Sequence, residues 1–226
     1  YNVSLASSFQ QGVNGYTATH DTELRQQVPG SNYGSNTNLA IDTDNSGANT
    51  ESQGLIRFDN LFGSGNGQIP FNVQIVSATL TLETFGSTAG TVSLHRMLTN
   101  WDESTATWNS LSGGLHANNV EMLSAADSQL TNIGNGATVF TGLKASVQAW
   151  ADGRTNYGWG IVSNSSDGWD FYSSEGTITP KLTIEYVMPG SQYSSAHSLV
   201  VDTASDTWDG DTTSIDALLA SKGADG

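Results

Sequence analysis

The sequence predicts an all-β protein: an antiparallel β-sandwich of jelly-roll type with one short helix and a C-terminal extension. Short runs of alternating apolar and polar residues recur about ten times along the chain, as expected for strands that bury one face. Segments rich in Gly, Asn and Ser separate these runs. Only one segment before residue 190 has the spacing of an amphipathic helix. Many short strands at close spacing are typical of a sandwich.

The overall composition agrees with this fold class and excludes several functions. The chain has 226 residues, of which 36% are hydrophobic and only 13% are charged, and 25 are Gly. Seven Lys and Arg stand against 22 Asp and Glu, which gives a formal net charge of -15. We expect neither nucleic acid nor membrane as a partner, because nucleic acids and anionic membranes reward a basic surface. There is no cysteine, so disulfides and thiol chemistry are excluded.

Strands are expected first over six segments. They are residues 3–9, 21–26, 38–42, 54–59, 76–85 and 91–98. In the fifth segment Val76, Leu80 and Leu82 share one face and alternate with polar residues, which indicates a sheet with one solvated face. Glycine-rich residues then turn the chain back, so we expect the fifth and sixth strands to pair as a hairpin.

The second half of the chain carries the helix and the remaining strands. Strands are expected over residues 138–141, 158–163, 169–174 and 181–187. Leu143, Val147 and Trp150 recur at i, i+4 and i+7, which predicts a helix. Gly153 is well placed to end this helix as its C-cap.

Two tryptophans, Trp101 and Trp108, frame the densest group of aromatic and carboxylate side chains in the chain. They follow a strand directly, so we expect a corner that the two indoles anchor. Arg96 lies on the apolar parity of that strand. Because an unpaired buried guanidinium is strongly disfavoured, we expect it to pair with Asp102 or Glu103.

Catalysis finds little support in the sequence. The four histidines are scattered, and no Ser-His-Asp, zinc-ligand or phosphate-loop spacing is present. Asp102 and Glu103 are adjacent, so in an extended chain they point apart and make a poor acid–base pair. We therefore expect that the protein is not an enzyme.

A calcium site is one interpretation of the loop that begins at Asp42. Asp42, Asp44 and Ser46 place oxygen atoms at positions 1, 3 and 5 of a calcium-binding loop. Glu51 stands at position 10, but position 12 is Gln53 and no helix flanks the loop, so an EF-hand is rejected. An irregular calcium site and a polar hairpin loop remain as alternatives.

The composition changes after residue 190, which divides the chain into a domain (1–190) and an acidic extension or linker (191–226). The extension contains six Asp, no Glu and one Lys. Asp206, Asp209 and Asp211 form a second candidate calcium site, with a solvated acidic linker as the alternative.

Candidate sugar-binding residues lie near turns in the second half of the domain. They are Arg154, Tyr157, Trp159, Trp169 and Tyr172. A flat aromatic face packs against a pyranose ring, and Arg154 would bond hydroxyl groups or a uronate. Trp159 and Trp169 share strand parity with apolar residues, so a buried position is the alternative for both.

An ordered set of motifs resembles a known family. The motifs are FQQGVNGYT from Phe9, DTELR from Asp21, NYG from Asn32, GLIRFD from Gly54, SATLTL from Ser77, WDESTATWN from Trp101, QAWADGRTNYGW from Gln148 and FYSSEGTITPKL from Phe171. They resemble the DNRLRE-type domain of secreted bacterial and archaeal proteins, which is related to disaggregatase-type repeats and to a carbohydrate-binding-module family. The resemblance covers about residues 9–187, although the eponymous signature is only half kept at residues 21–26.

The resemblance implies a jelly-roll accessory domain without catalytic residues. We therefore hypothesise a secreted, extracellular or cell-surface module that tethers a larger protein to polysaccharide, including acidic polysaccharide. The alternative is a structural subunit of a filament or surface assembly that self-associates by strand addition through residues 3–9 or 198–201. A calcium-dependent assembly is one form of this alternative. The extension resembles the lead-in of secreted right-handed parallel β-helix domains.

Overall fold

The computed structural model describes residues 4–44 and 50–188. The strands within these ranges are β1 (Leu5–Gln10), β2 (Thr19–Arg25), β3 (Asn38–Ile41), β4 (Ser52–Phe58), β5 (Gln74–Gly86), β6 (Thr88–Arg96), β7 (Ser128–Ile133), β8 (Gly136–Phe140), β9 (Trp159–Ser163), β10 (Trp169–Tyr172) and β11 (Lys181–Val187). The helix is α1 (Lys144–Ala151), preceded by a single 3-10 turn at Asn109–Leu111. No helix in the described ranges has the length and apolar character of a membrane span.

The strands form two antiparallel sheets that pack as a sandwich, which confirms the predicted fold class. In the six-stranded sheet, β1 pairs with β11, β11 with β5, β5 with both β8 and β10, and β10 with β3. The five-stranded sheet has the order β2-β4-β9-β6-β7. The main core lies between the sheets, because inward residues of both are fully buried together.

The alternation in β5 is interrupted at its start. Leu80 and Leu82 are buried as predicted, but Val76 is 43% exposed and Ile75 takes the buried position instead. The pairing with β11 shifts at Tyr186, which leaves an extra residue in β5. Such a bulge inverts the parity of the residues before it, so the prediction for Val76 is wrong.

The predicted hairpin between β5 and β6 is also wrong. β6 begins at Thr88, two residues after the end of β5, yet it pairs with β7 and β9 in the other sheet. The Thr88 hydroxyl donates to the carbonyl of Asp167, and the Ala89 N–H donates to its carboxylate over 2.9 Å. These contacts hold the chain where it crosses from one sheet to the other. A tight turn would instead have kept both strands in one sheet.

β7 was not predicted, since its segment is included in a loop in the sequence interpretation. Leu130 and Ile133 are its only apolar side chains. β7 lies at the edge of the five-stranded sheet and pairs with β6 alone. An edge strand with one solvated face needs few apolar residues, so its hydrophobic pattern is weak.

A second, smaller core covers the outer face of the five-stranded sheet. Trp101 and Trp108 lie in it and are 4% and 7% exposed, as the predicted corner requires. The arginine at this corner is Arg57: its Nη1 donates to the Trp101 carbonyl over 2.9 Å, and its guanidinium lies 4.8 Å from the Trp101 ring centre. Its Nε lies 2.8 Å from Asp59 Oδ1, so its charge is paired.

The predicted pair between Arg96 and the carboxylates of the corner is therefore wrong. Within the described residues, Arg96 forms no ion pair with Asp102 or Glu103. Asp102 accepts hydrogen bonds from the backbone and hydroxyl of Ser104, and Glu103 bonds to β2. Arg96 is only half-buried at the end of β6, so water solvates it and no partner is required.

Candidate functional site

A concave surface of about 300 Å³ lies where the end of β6 meets the C-terminal end of α1 and the chain that leads into β9. Its lining residues are Arg96, Met97, Leu98, Trp150, Gly153, Arg154, Thr155 and Tyr157, and they define the arginine groove. Met97 and Trp150 are buried and give the groove an apolar part. Arg154 is exposed, and Arg96 and Tyr157 are half-buried, so all three side chains are accessible to solvent at least in part.

The C-terminal end of α1 positions Arg154. Gly153 adopts φ +90°, its N–H donates to the Trp150 carbonyl over 3.0 Å, and the Arg154 N–H donates to the Ala149 carbonyl over 2.9 Å. The C-cap itself is Asp152, so the predicted C-cap glycine lies one residue later, as the left-handed residue that ends the helix. A cation directly after a helix also benefits from the negative end of the helix dipole. The helix end therefore fixes the backbone of Arg154 and leaves its side chain in solvent.

Tyr157 is positioned by hydrogen bonds to its neighbours and to the corner. Asn156 accepts from the Gly158 N–H over 2.8 Å and donates to the Phe58 carbonyl over 2.7 Å. The indole N–H of Trp101 donates to the Tyr157 carbonyl over 2.8 Å. The tryptophan corner thus contributes to this surface by holding its backbone.

Arg96 completes the groove from the other side. It is the last residue of β6 and lies opposite Trp159 of β9 in the strand register. The next residue, Met97, donates its N–H to the Gly158 carbonyl over 2.9 Å, which ties β6 to the start of β9. The sequence interpretation assigned Arg96 to the corner and missed it here. Its place at a strand end beside a loop was the available signal.

Positive charge is concentrated at this surface. An adjoining hollow of about 480 Å³ shares Arg154 with the groove and adds Lys144. Together with Arg96 these are three of the seven Lys and Arg of a chain with net charge -15. Within the described ranges none of the three forms an ion pair. Although Asp152 also lines the hollow, this region is suited to a ligand that carries negative charge.

Two of the predicted sugar-binding residues are not at the surface. Trp159 and Trp169 are both 0% exposed. Their indole N–H groups donate inside the protein, to Asp127 Oδ2 over 2.8 Å and to Thr84 Oγ1 over 3.0 Å. Their assignment as sugar-binding platforms is therefore corrected: both rings belong to the core, as their strand parity allowed.

Tyr172 lies in the six-stranded sheet and does not line the arginine groove. It is half-buried, and its ring centre lies 4.8 Å from that of Phe85, which is 41% exposed. These two residues form the aromatic pair, a second surface on which a sugar ring could stack. Phe85 was not predicted as a candidate, although it lies on the polar parity of β5.

A third hollow, of about 410 Å³, is lined by uncharged residues near the N-terminus. Two of its polar side chains form hydrogen bonds within the local turns. The Tyr16 hydroxyl lies 2.8 Å from the Asp59 carbonyl, and the Gln68 amide donates to the Asn60 carbonyl over 3.1 Å. Gln68 also accepts from the Gly65 N–H over 2.9 Å. The lining carries no charged side chain, so nothing in this hollow favours a ligand with a carboxylate.

Three carboxylates converge at the edge of β2. Asp21, Glu103 and Glu175 each have an oxygen atom within 4.8 Å of an oxygen of the other two, and they define the carboxylate cluster. Glu103 accepts from the Asp21 N–H over 2.7 Å, and Asp21 Oδ2 accepts from the Ser174 N–H over 2.7 Å. Burial, helped by the charge of Glu175, raises the pKa of Asp21 to about 8, although the Ser174 bonds oppose the shift.

His20 lies beside this cluster, between its member Glu103 and a further acid, Asp59. Its Nδ1 is 3.1 Å from Glu103 Oε2, and its Nε2 is 3.4 Å from Asp59 Oδ2. Hydrogen bonds to Asp59 and to Glu103 raise the pKa of His20 to about 9, while partial burial opposes the shift. His20 therefore carries positive charge at neutral pH, and Arg57 is the other cation close to Asp59.

This raised pKa predicts a pH-dependent stability. The folded protein binds the His20 proton more tightly than the unfolded chain, so its contribution is full below about pH 6.5 and is lost as pH rises through about 9. We expect the melting temperature to fall between pH 6 and 9 in EDTA. His20→Gln should reduce that fall by about 2–4 °C, since a solvent-screened contribution is about 1 kcal/mol.

The control for this experiment is His116→Gln, which changes an exposed histidine. His116→Gln should show the same fall in melting temperature as the unchanged protein. Identical pH profiles for all three proteins would contradict the assigned role of His20.

The first calcium interpretation stays a prediction. Asp42 Oδ1 accepts from the Asp44 N–H over 2.9 Å, and Glu51 Oε1 accepts from the Gln53 side chain over 2.9 Å. Ser46 lies among residues 45–49, outside the described ranges. The second candidate site (Asp206, Asp209 and Asp211), the strand-like residues 198–201 and the domain boundary at 190 also lie outside them.

Comparisons with known proteins bear on most of the described fold. A search of curated proteins gave no match. The family model of carbohydrate-binding module family 96 matches residues 13–186. This range includes the strands from β2 to β10 and the whole arginine groove. The chain therefore belongs to carbohydrate-binding module family 96.

Proposed function

We propose that this protein is a non-catalytic module that binds polysaccharide in the arginine groove, and that it favours glycans bearing carboxylates. The observation that carries the proposal is the meeting of Arg96, Arg154 and Tyr157 around one concave surface. Two of these three residues were candidates from the sequence, and the fold adds the third.

The side chains of the groove match the chemistry of an acidic sugar. A guanidinium binds a carboxylate through two parallel hydrogen bonds, which gives both strength and orientation. Tyr157 offers an apolar ring face beside a hydroxyl group, the combination that recognises a pyranose. Lys144 in the adjoining hollow would extend the contact to a further sugar unit along a chain.

Catalysis is not supported at this surface. The lining residues of the groove include no carboxylate and no histidine, so the described part of the site has no acid–base pair. We expect no new reducing ends when the protein is incubated with a polysaccharide that it binds.

The experiment is calorimetric titration with oligosaccharides of a uronan, such as an alginate, beside a neutral glycan of equal length. Arg96→Ala and Arg154→Ala should each weaken binding by about 10-fold or more, because a charge-assisted contact contributes about 1.5–3 kcal/mol. Tyr157→Ala should weaken it as well. Lys181→Ala, which removes an equal charge from β11, is the matched control and should leave affinity unchanged.

The aromatic pair provides the outcome that would contradict the proposal. If Phe85→Ala and Tyr172→Ala abolish binding while Arg96→Ala and Arg154→Ala do not, the ligand lies on the six-stranded sheet. Stronger binding of the neutral glycan would contradict the preference for carboxylates.

An extracellular or cell-surface tether for a larger protein is the setting that we infer for this module. Polysaccharides with carboxylates are matrix components, and an acidic chain without cysteine needs no particular redox compartment. Protease added to intact source cells should digest the protein if this inference holds. Protection until the cells are lysed would contradict it.

Self-assembly by strand addition receives less support. β1 pairs with β11 over six residues within the same chain, from Leu5 opposite Tyr186 to Gln10 opposite Lys181. Donation of this segment to a neighbour would require those pairs to break first. The other candidate segment, residues 198–201, lies outside the described ranges.

A further inference from the structure

The carboxylate cluster joins three parts of the chain that are distant in sequence. Asp21 comes from β2, Glu103 from the tryptophan corner, and Glu175 from the turn that follows β10. Glu175 is exposed and Glu103 is half-buried, so the cluster opens to solvent on one side. Three carboxylates this close repel one another when all are ionised, unless something compensates their charge.

Asp21 shows that the compensation is incomplete within the protein. Its side chain belongs to a residue that is 1% exposed. Oδ2 accepts the Ser174 N–H, but Oδ1 is buried and has no hydrogen-bond partner among the described residues. Burying a carboxylate oxygen without a hydrogen-bond partner costs free energy. The unpartnered Oδ1 therefore indicates a ligand that the protein alone does not supply.

We propose that Asp21, Glu103 and Glu175 bind a divalent cation of the calcium type. Calcium prefers carboxylate oxygens at 2.3–2.6 Å, so oxygens on opposite sides of one ion are about 5 Å apart. The separations in the cluster, all within 4.8 Å, fit that span. Solvent on the Glu175 side can supply the water ligands that complete a coordination number of about 6–8.

The protein's own cations do not fulfil this role. His20 contacts Glu103 Oε2 and Asp59, and Arg57 contacts Asp59, so neither of these ion pairs includes Asp21 or Glu175. Arg25 bonds to Glu23, over 2.5 Å from its Nε. Among the described residues, no Lys or Arg forms an ion pair with Asp21 or Glu175.

The bound ion would link the two sheets and the tryptophan corner. β2 is the edge of the five-stranded sheet, and Glu175 follows the strand β10 of the six-stranded sheet. Asn32 donates to the Glu103 carbonyl over 2.7 Å, and a Cβ at Gly34 would overlap with Glu103, so the loop before β3 packs on the same point. Calcium should therefore raise the melting temperature, since it binds the folded chain alone.

Calorimetric titration of the full chain with calcium chloride tests the proposal. Glu175→Gln is the informative variant, because Glu175 is exposed and its replacement should leave the fold intact. We expect it to weaken calcium binding at this site by about 10-fold or more, since it removes one of three charged ligands. Glu185→Gln changes an exposed carboxylate on β11 and is the charge-matched control.

A second comparison separates the cluster from the loop at residues 42–51. Asp44→Asn should leave the affinity of the cluster unchanged. Crystals soaked in terbium, which replaces calcium, should give an anomalous peak between Asp21, Glu103 and Glu175. Absence of calcium binding, equal affinity in the protein and Glu175→Gln, or loss in Asp44→Asn alone would overturn the proposal.

Discussion

Replacing Trp159 by alanine is expected to lower the free energy of unfolding by about 3–5 kcal/mol, because it removes the largest kind of side chain from a closed core. Trp159 is 0% exposed and meets the ring of Trp150 edge to face, with 4.7 Å between ring centres. The substitution also leaves Asp127 without its indole donor. Urea denaturation monitored by circular dichroism measures the change.

Val120→Ala is the control for this experiment. Val120 is 65% exposed, so its truncation should change stability by no more than about 0.5 kcal/mol. Trp159→Phe should lie between the two, since it keeps an aromatic ring but loses the N–H donor. A loss of less than about 1 kcal/mol for Trp159→Ala would show that the ring is not the core residue described above.

Gly158→Ala is expected to destabilise the fold by about 2–5 kcal/mol, the sum of backbone strain and a steric overlap. Gly158 has φ +72°, where a side chain is disfavoured, and a Cβ there would overlap with the Ile56 carbonyl oxygen. The residue also joins the arginine groove to β9 through Met97. Thermal and urea denaturation give the magnitude.

Gly153→Ala separates the two contributions. Gly153 also has positive φ, +90°, but a Cβ there would meet no atom within 4 Å. It should therefore cost only the backbone strain, about 1–2 kcal/mol. Equal losses for both glycines would contradict the steric argument at Gly158.

The sequence predicts the strands well but not which strands pair. Alternation identifies β4, β5 and β11, since buried residues on one face leave a period of two. It carries no information on where a chain changes sheets, so the link between β5 and β6 reads as a hairpin. Arg96 and Arg57 each lie near the end of a strand, on the same face as apolar residues. Only the packing of the corner against β4 shows that Arg57 is the one that contacts Trp101.

The candidate site is predictable in part for related reasons. Arg154 follows a helix end that the sequence marks with glycine, and exposure follows from that position. Asp21 and Glu23 lie on the face of β2 opposite its apolar residue, Leu24. The alternation of the sequence therefore does not show that they point inward. Glu23 is 0% exposed and accepts from Ala40 N–H and Arg25. Periodicity cannot distinguish an edge strand that points its charged residues inward from one that points them to solvent.

The central claim is that glycan binds where β6, α1 and β9 meet, and nuclear magnetic resonance tests it most directly. Titration of ¹⁵N-labelled protein with a uronan oligosaccharide should shift the backbone signals of residues 96–98 and 153–157. Signals of Phe85 and Tyr172 should remain in place. Shifts confined to Phe85 and Tyr172, or no shifts at saturating oligosaccharide, would contradict the account.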